Sequence, residues 1–186
     1  MSKVFQYGGI VASIVLIAFG AGSIVTGYNG RDRVHNDLAR EQIVGTPDSS
    51  IPNQLVNNGS KAEAFAKVMR KHTLEATGGQ TYAQMGRYMG KNGKATNDEK
   101  LAAVDKTGKP IDNPLRNLWV TETALTTALH SSYFAESVAT FAIVMGFALM
   151  LTGAGFLVLT LRVLRVFEKE EKTEPAVAPG GAVLSS

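Results

Sequence analysis

The sequence predicts an all-α protein in which two transmembrane helices flank a small helical extracytoplasmic domain. Two apolar blocks near the ends of the 186-residue chain, uncharged over residues 8–28 and 137–161, are each long enough to cross a bilayer. Between them, apolar residues recur at helical spacing, and no sustained strand-like alternation occurs. Because no helix breaker separates the last periodic segment from the second block, we expect that span to continue a long membrane-proximal helix.

The composition narrows the classes of function that the chain can have. It contains no cysteine, which excludes disulfide frameworks, cysteine-ligated zinc or iron–sulfur sites and thiol nucleophiles. The net charge is only +3, and the basic residues do not cluster on one face as they do in a nucleic-acid-binding protein. We therefore expect the lipid bilayer as a partner and no contact with nucleic acid.

The first predicted span covers residues 8–28 and carries no charge. About 20 residues cross the hydrocarbon core of a bilayer, and Tyr7 and Tyr28 bracket the run at positions typical of the membrane interface. The alternative is a cleaved signal peptide. Only Lys3 precedes the run, which is longer than the usual apolar core of such a peptide, so an uncleaved anchor is favoured.

The second predicted span covers residues 134–161 and is flanked by charges that favour one orientation. Arg162, Arg165 and Lys169 follow it as a stop-transfer pattern, and Lys3 precedes the first span. The positive-inside rule then places both termini in the cytoplasm of a multi-pass plasma-membrane protein. The opposite orientation stays open, because long loops are translocated with little regard to their charge.

This orientation divides the chain into five parts. Residues 1–7 form a cytoplasmic N-terminus, residues 29–133 a helical extracytoplasmic domain, and residues 162–186 a cytoplasmic tail. The tail is rich in charge, proline and glycine and lacks large apolar residues towards its end, so we expect it to be largely disordered.

Local signals predict the helices of the central segment. The charged residues 29–42 can extend the first helix beyond the membrane. Ser60 and Glu63 form a capping-box pattern that begins the next helix, and Gly78-Gly79 ends it.

The rest of the central segment contains weaker helical signals. We predict a short helix over residues 81–89 and one helical turn near residues 99–104. Asn113 followed by Pro114 is a strong start signal for the last helix, with Asn113 as cap and Pro114 in the first helical position.

Small residues four apart on both spans are candidates for close helix packing. The pairs are Ala18 with Gly22, Ser23 with Gly27, and Ala142 with Gly146. Either the spans pack on each other or on partner helices at these positions, or the pattern reflects only the abundance of small residues in membrane helices. Both interpretations stay open.

The polar residues offer weak functional candidates and no catalytic, cofactor-binding or metal-binding signature. The three histidines, His35, His72 and His130, lie on different predicted helices without metal-binding spacing. His72 and Glu75 could form a metal or acid–base pair, although a histidine at the edge of a helical core is the simpler interpretation. Glu136 lies at the start of the second span, where the interface can hydrate it without a proton-relay role.

The Gly-Gly turn is the second weak candidate. Gly78 and Gly79 could form an anion-binding nest ahead of the next helix, which carries Tyr82. The simpler interpretation is a helix–turn–helix connection that needs positive φ angles.

Three motifs carry a resemblance to a known group of proteins. The motifs are GTPD at residues 45–48, MRKHTLEATGGQTYAQM at residues 69–85 and TALHSSYFAES at residues 127–137. Together with the two spans, over most of residues 5–165, they resemble a family of uncharacterised actinobacterial two-pass membrane proteins. Some members carry the automatic label of aromatic ring-opening dioxygenase. Such enzymes need an iron held by two histidines and a carboxylate, and this sequence shows no such constellation.

The sequence thus favours a non-catalytic membrane accessory, scaffold or assembly subunit without a cofactor, which associates with a membrane-protein partner or with copies of itself. One alternative is a metal-dependent membrane enzyme that uses His72 and Glu75. Another is a homo-oligomeric pore, although the spans contain few polar residues to line one.

Overall fold

Three α-helices contain most of the described chain. Helix α1 spans Lys3–Arg40, α2 spans Gly59–Ala76 and α3 spans Pro114–Glu171. The computed structural model describes the backbone of residues 3–171 and the side chains of residues 7–163. The fold is therefore mostly helical, as the periodicity predicts.

Helices α1 and α3 are each long and apolar enough to cross a membrane. In the most apolar 18-residue stretch of each helix, only 11% of the residues are buried within the protein. The apolar side chains therefore face outward rather than into a protein core. Helix α3 runs without a break from Pro114, as expected from the absence of a breaker in the sequence. Residues 162–171 of the predicted disordered tail are helical, because α3 continues to Glu171. The part of that tail from residue 172 onward lies outside the described residues.

The chain forms two compact units. The first, called the span unit here, consists of α1 up to Val25 and α3 from Ala142 onward. The second, the central unit, consists of Thr26–Phe141.

The span unit is an antiparallel pair of helices whose backbones come into contact. A Cβ atom added to Gly20 would lie 2.6 Å from the carbonyl oxygen of Gly146, and one added to Gly153 would lie 2.9 Å from the carbonyl oxygen of Ser13. The residue numbers therefore rise along α1 from Ser13 to Gly20 while those of their partners on α3 fall from Gly153 to Gly146, as in an antiparallel pair. The small residues recur every seven positions on each helix, which is the spacing of a coiled-coil seam.

The structure buries some of the predicted small residues and leaves others exposed. Gly22 has no atom within 4 Å of where its Cβ would be, and Ala18 is exposed. Ser23 and Ala142 are half-buried, and Gly27, in the central unit, is buried. Gly146 contacts the backbone of the other helix, since a Cβ atom added to it would lie 2.6 Å from the Gly20 carbonyl oxygen. The four-residue spacing thus identified one member of the seam but missed its seven-residue period.

The central unit is built around a small core to which all three helices contribute. Its buried apolar residues come from α1, the loop before α2, α2 itself and α3: Leu38, Val56, Ala62, Phe65, Ala66, Val68 and Leu129. Half-buried apolar side chains such as Val34 and Leu125 surround this cluster. The core therefore fixes α2 against the two long helices within this unit.

The two ends of α2 differ in how well the sequence predicted them. The N-cap is Asn58, whose side-chain oxygen accepts a hydrogen bond from the Lys61 amide at 2.9 Å. The predicted cap at Ser60 is therefore wrong by two residues. Gly78 and Gly79 end the helix as predicted: both have positive φ, and their amides donate to carbonyls of the last turn in a Schellman motif.

The predicted helix over residues 81–89 is wrong. Short strands β1 (Tyr88–Met89) and β2 (Ala95–Thr96) pair antiparallel instead, and the segment after them contains isolated bridges. A Cβ added to Gly90 would lie 2.6 Å from the Lys94 carbonyl oxygen. Glycine permits this tight turn and is a poor helix former, so backbone pairing prevails here over the apolar periodicity.

The remaining signals of this segment predicted the structure well. A 3₁₀ turn occurs at Glu99–Leu101, within the predicted helical turn. The side chain of Asn113 accepts a hydrogen bond from the Leu115 amide at 3.1 Å, and α3 begins at Pro114.

The seam predicts a difference between two neighbouring glycines. Gly20→Ala should destabilise the folded protein by about 1–3 kcal/mol, because the new methyl group overlaps the Gly146 backbone. The matched variant Gly22→Ala adds the same methyl group where nothing lies within 4 Å, so its effect should stay within about 0.5 kcal/mol. Unfolding of both variants in detergent micelles measures the difference. Equal stability of the two would contradict the packing.

Candidate functional site

A single carboxylate, that of Glu136 on α3, joins three segments of the central unit. Its side chain is only 15% exposed. Atom Oε1 lies 2.8 Å from Nε2 of His35 and 3.5 Å from Nε of Arg31, while Oε2 accepts a hydrogen bond from the backbone amide of Gly59. Both oxygens of the carboxylate are therefore engaged by the protein itself.

Helix geometry explains why these partners meet at one carboxylate. Arg31 and His35 are four residues apart on α1, so their side chains share one face of that helix. Gly59 is the first residue of α2, and its amide is one of the donors that a helix start leaves without an intrahelical partner. A negative charge at this position also interacts favourably with the helix dipole. Glu136 thus supplies a cap for α2 from another helix.

Gly59 is required for this contact. A Cβ atom on it would lie 2.8 Å from both the Glu136 Oε2 atom and the Cα of Tyr133. Because the space is taken by backbone on one side, no larger residue fits without displacing α2 from α3.

An open cavity of about 350 Å³ lies beside the carboxylate. Besides Glu136, it is lined by residues that carry a hydroxyl group: Ser60, Tyr133, Ser137 and Thr140. The Ser137 hydroxyl donates to the Tyr133 carbonyl at 2.9 Å rather than to a base, so this serine is not an activated nucleophile. Chemically, the cavity can accept water or a small polar group next to a fixed carboxylate.

A second polar cluster surrounds Asp48 on the surface of the central unit. Its carboxylate accepts hydrogen bonds from Lys71 Nζ at 2.9 Å and Thr46 Oγ1 at 2.8 Å, and His72 Nε2 lies 2.9 Å away. The bonds from Lys71, His72 and Thr46 hold the pKa of Asp48 well below its usual value. Because these groups are exposed to solvent, the cluster is a surface ion-pair network rather than a buried site.

The alternative pair of His72 and Glu75, a weak candidate from the sequence, does not form this cluster. His72 faces Asp48, while the Glu75 carboxylate lies 3.9 Å from Lys71. Among the described residues, no three histidine, aspartate or glutamate side chains are grouped so that they could hold a metal ion. Of the other two histidines, His35 on α1 and His130 on α3, only His35 contacts a carboxylate among the described residues.

The anion nest that was the alternative interpretation of the Gly-Gly turn is not formed. The Gly79 amide donates to the Leu74 carbonyl at 2.7 Å and the Gly78 amide to the Glu75 carbonyl at 3.2 Å, so neither is available to an anion. Tyr82 does not lie on a helix, and its ring packs against the Arg116 guanidinium.

The role of Glu136 was the main residue-level feature that the sequence did not disclose. The available signal was a single acidic residue beside an apolar run, which in membrane proteins marks a paired group. The partners His35 and Arg31 lie about 100 positions away in the sequence, so no local pattern could connect them.

Removal of the negative charge at position 136 should destabilise the central unit. In Glu136→Gln the one side-chain oxygen can accept from either the Gly59 amide or the donors of α1, but not from both. We therefore expect the free energy of unfolding to fall by about 1–3 kcal/mol. Glu63→Gln is the control, because Glu63 pairs only with the exposed Lys67 and should change stability by less than about 0.5 kcal/mol. Denaturant unfolding of both variants provides the test, and equal losses would contradict the central role of Glu136.

The lowered pKa of Asp48 predicts how its contribution depends on pH. A carboxyl group with a lowered pKa in the folded state stabilises the fold above its unfolded pKa of about 3.9, and loses this effect as the pH falls towards the folded pKa. The difference in thermal midpoint between the native protein and Asp48→Asn should therefore narrow as the pH falls below about 4. A difference that stays constant or widens over this range would argue against the Asp48–Lys71 contact.

Comparison of the chain with protein-family models, with curated proteins and with solved structures found no match.

Proposed function

We propose that the protein is a non-catalytic membrane scaffold or accessory subunit that packs its first span against a helix of a partner. It crosses the plasma membrane twice, with both termini in the cytoplasm and residues 29–133 on the far side. The partner is another membrane protein or a second copy of the chain.

The observation that carries this proposal is the outward position of Ala18 and Gly22 in the span unit. The seam with α3 uses Ser13 and Gly20, whereas Ala18 is exposed and nothing lies within 4 Å of a Cβ at Gly22. Two small residues four apart on an apolar helix let a second helix approach closely. The exposed Val11 and Val15 precede the pair at the same helical spacing, so an apolar face surrounds it.

The state of the polar groups supports binding rather than chemistry. Both oxygens of Glu136 are engaged by other parts of the central unit. The Asp48 carboxylate is likewise engaged, by Lys71, His72 and Thr46. A general base needs a free acceptor within reach of a substrate proton, and these carboxylates serve the fold instead.

The charges next to the spans support the proposed orientation. Arg162 and Arg165 follow the second span closely, and Lys3 precedes the first. Basic residues at these positions favour the cytoplasmic side.

Bulky substitutions on the outward face of α1 should release the partner. Ala18→Leu and Gly22→Leu place a large side chain where a partner helix would approach, so each should shift the protein from a complex to a free subunit. Native mass spectrometry after gentle solubilisation measures this shift. Gly155→Leu is the matched control, because this glycine of α3 also has nothing within 4 Å and lies outside the proposed interface.

Two results would contradict this proposal. One is a native protein that is monomeric, with no stable partner in gently solubilised membranes. The other is a complex that survives Ala18→Leu and Gly22→Leu as well as it survives Gly155→Leu.

A further inference from the structure

A second cavity of the central unit, called the arginine cavity here, lies at the start of α3 and has a volume of about 190 Å³. Its lining comes from the loop before β1 and from the residues around the start of α3: Tyr82, Arg87, Asp112, Asn113, Arg116 and Asn117. Two arginines and one aspartate give it an excess of positive charge.

Aromatic rings, rather than carboxylates, support the two guanidinium groups. The Cζ atom of Arg116 lies 3.9 Å from the centroid of the Tyr82 ring, and that of Arg87 lies 5.0 Å from the centroid of Tyr88. Neither arginine forms an ion pair with any carboxylate among the described residues. Stacking engages the flat face of a guanidinium and leaves the N–H groups on its edge free to donate.

Arg116 has an unsatisfied donor. Its Nε atom is buried and has no hydrogen-bond partner, which costs free energy unless a bound group accepts that hydrogen. Arg116 is also the third residue of α3, where the positive end of the helix dipole disfavours a cation. A bound anion beside the guanidinium groups that line the cavity would offset both positive charges.

Asn113 holds the two arginine-bearing segments in place. This residue is only 2% exposed. Its backbone amide donates to the Arg87 carbonyl at 2.9 Å, and its side-chain amide donates to the Gly86 carbonyl at 3.0 Å. The backbones that carry Arg87 and Arg116 are therefore fixed relative to each other before any ligand arrives, which reduces the entropy lost on binding.

We infer that the arginine cavity binds a small oxyanion, a phosphate or carboxylate group, through the guanidinium groups of Arg87 and Arg116. The planar fork of an arginine matches two oxygens of either group. The volume suffices for such an anion with a few waters, since one water occupies about 30 Å³. Asp112 opposes binding by its charge and so limits the affinity. This inference does not depend on the proposed role as a scaffold.

Anion titrations of the full chain in detergent test the inference. At matched ionic strength, inorganic phosphate or acetate should raise the thermal midpoint in a saturable way that chloride does not reproduce, because a ligand of the folded state stabilises it. Calorimetry measures the affinity. Binding of phosphate alone identifies a phosphate site, and binding of acetate alone identifies a carboxylate site.

Variants then locate the bound anion. Arg116→Gln and Arg87→Gln should each weaken binding about tenfold or more. Arg70→Gln, at an arginine that stacks on Trp119 and does not line the cavity, should leave binding unchanged. Asp112→Asn keeps both arginines and should tighten binding several-fold, which gives a readout even if loss of Arg116 impairs folding.

Three results would overturn the inference. The first is a phosphate and acetate response equal to that of chloride. The second is binding that Arg70→Gln reduces as much as the cavity variants do. The third is an affinity that Asp112→Asn leaves unchanged or lowers.

Discussion

The antiparallel pairing of α1 and α3 in the span unit depends on a backbone contact between Gly20 and Gly146. In the bilayer in which we propose that these helices lie, lipid tails are as apolar as their side chains, so burial of apolar surface does not drive the two helices together. Close van der Waals contact must do so instead, and it requires positions without side-chain bulk. Gly153 against Ser13 repeats the contact one heptad away, which fixes the register of the two helices.

The central unit obtains its organisation from a polar contact as well as from its core. The core of this unit contains few large side chains, with Phe65 as its one buried phenylalanine among the described residues. A small core buries too little apolar surface to provide much stability. The contacts of Glu136 with His35, Arg31 and Gly59 should therefore contribute a larger share of the free energy of folding of this unit. They join α1, the start of α2 and α3 at one carboxylate.

Local physics made much of this fold predictable. The long apolar runs, the Asn113-Pro114 start signal and the Gly78-Gly79 stop signal act within a few residues, and each produced the element that it predicts. The misses arose where distant residues decide the structure. Asn58 rather than Ser60 caps α2, and the first residue of that helix, Gly59, lies against Glu136 and Tyr133, which are distant in the sequence.

The candidate sites were harder to predict than the helices. Glu136 and its partners are far apart in the sequence, as are Tyr82 and Arg116. The residues 81–89 carry an apolar period, yet the backbone pairing of β1 with β2 overrides it. Tyr82 consequently lines a cavity with two arginines instead of following an anion-binding turn.

The central proposal is that the chain crosses the membrane twice and places the segment between the spans on the extracytoplasmic side. Because the protein has no cysteine, single cysteines at Ser2, at the exposed Lys106 and at Ser185 can report the side of each region. A membrane-impermeant maleimide should label Lys106→Cys in intact cells, and Ser2→Cys and Ser185→Cys only after permeabilisation. The reverse pattern, or labelling of all three in intact cells, would contradict the account.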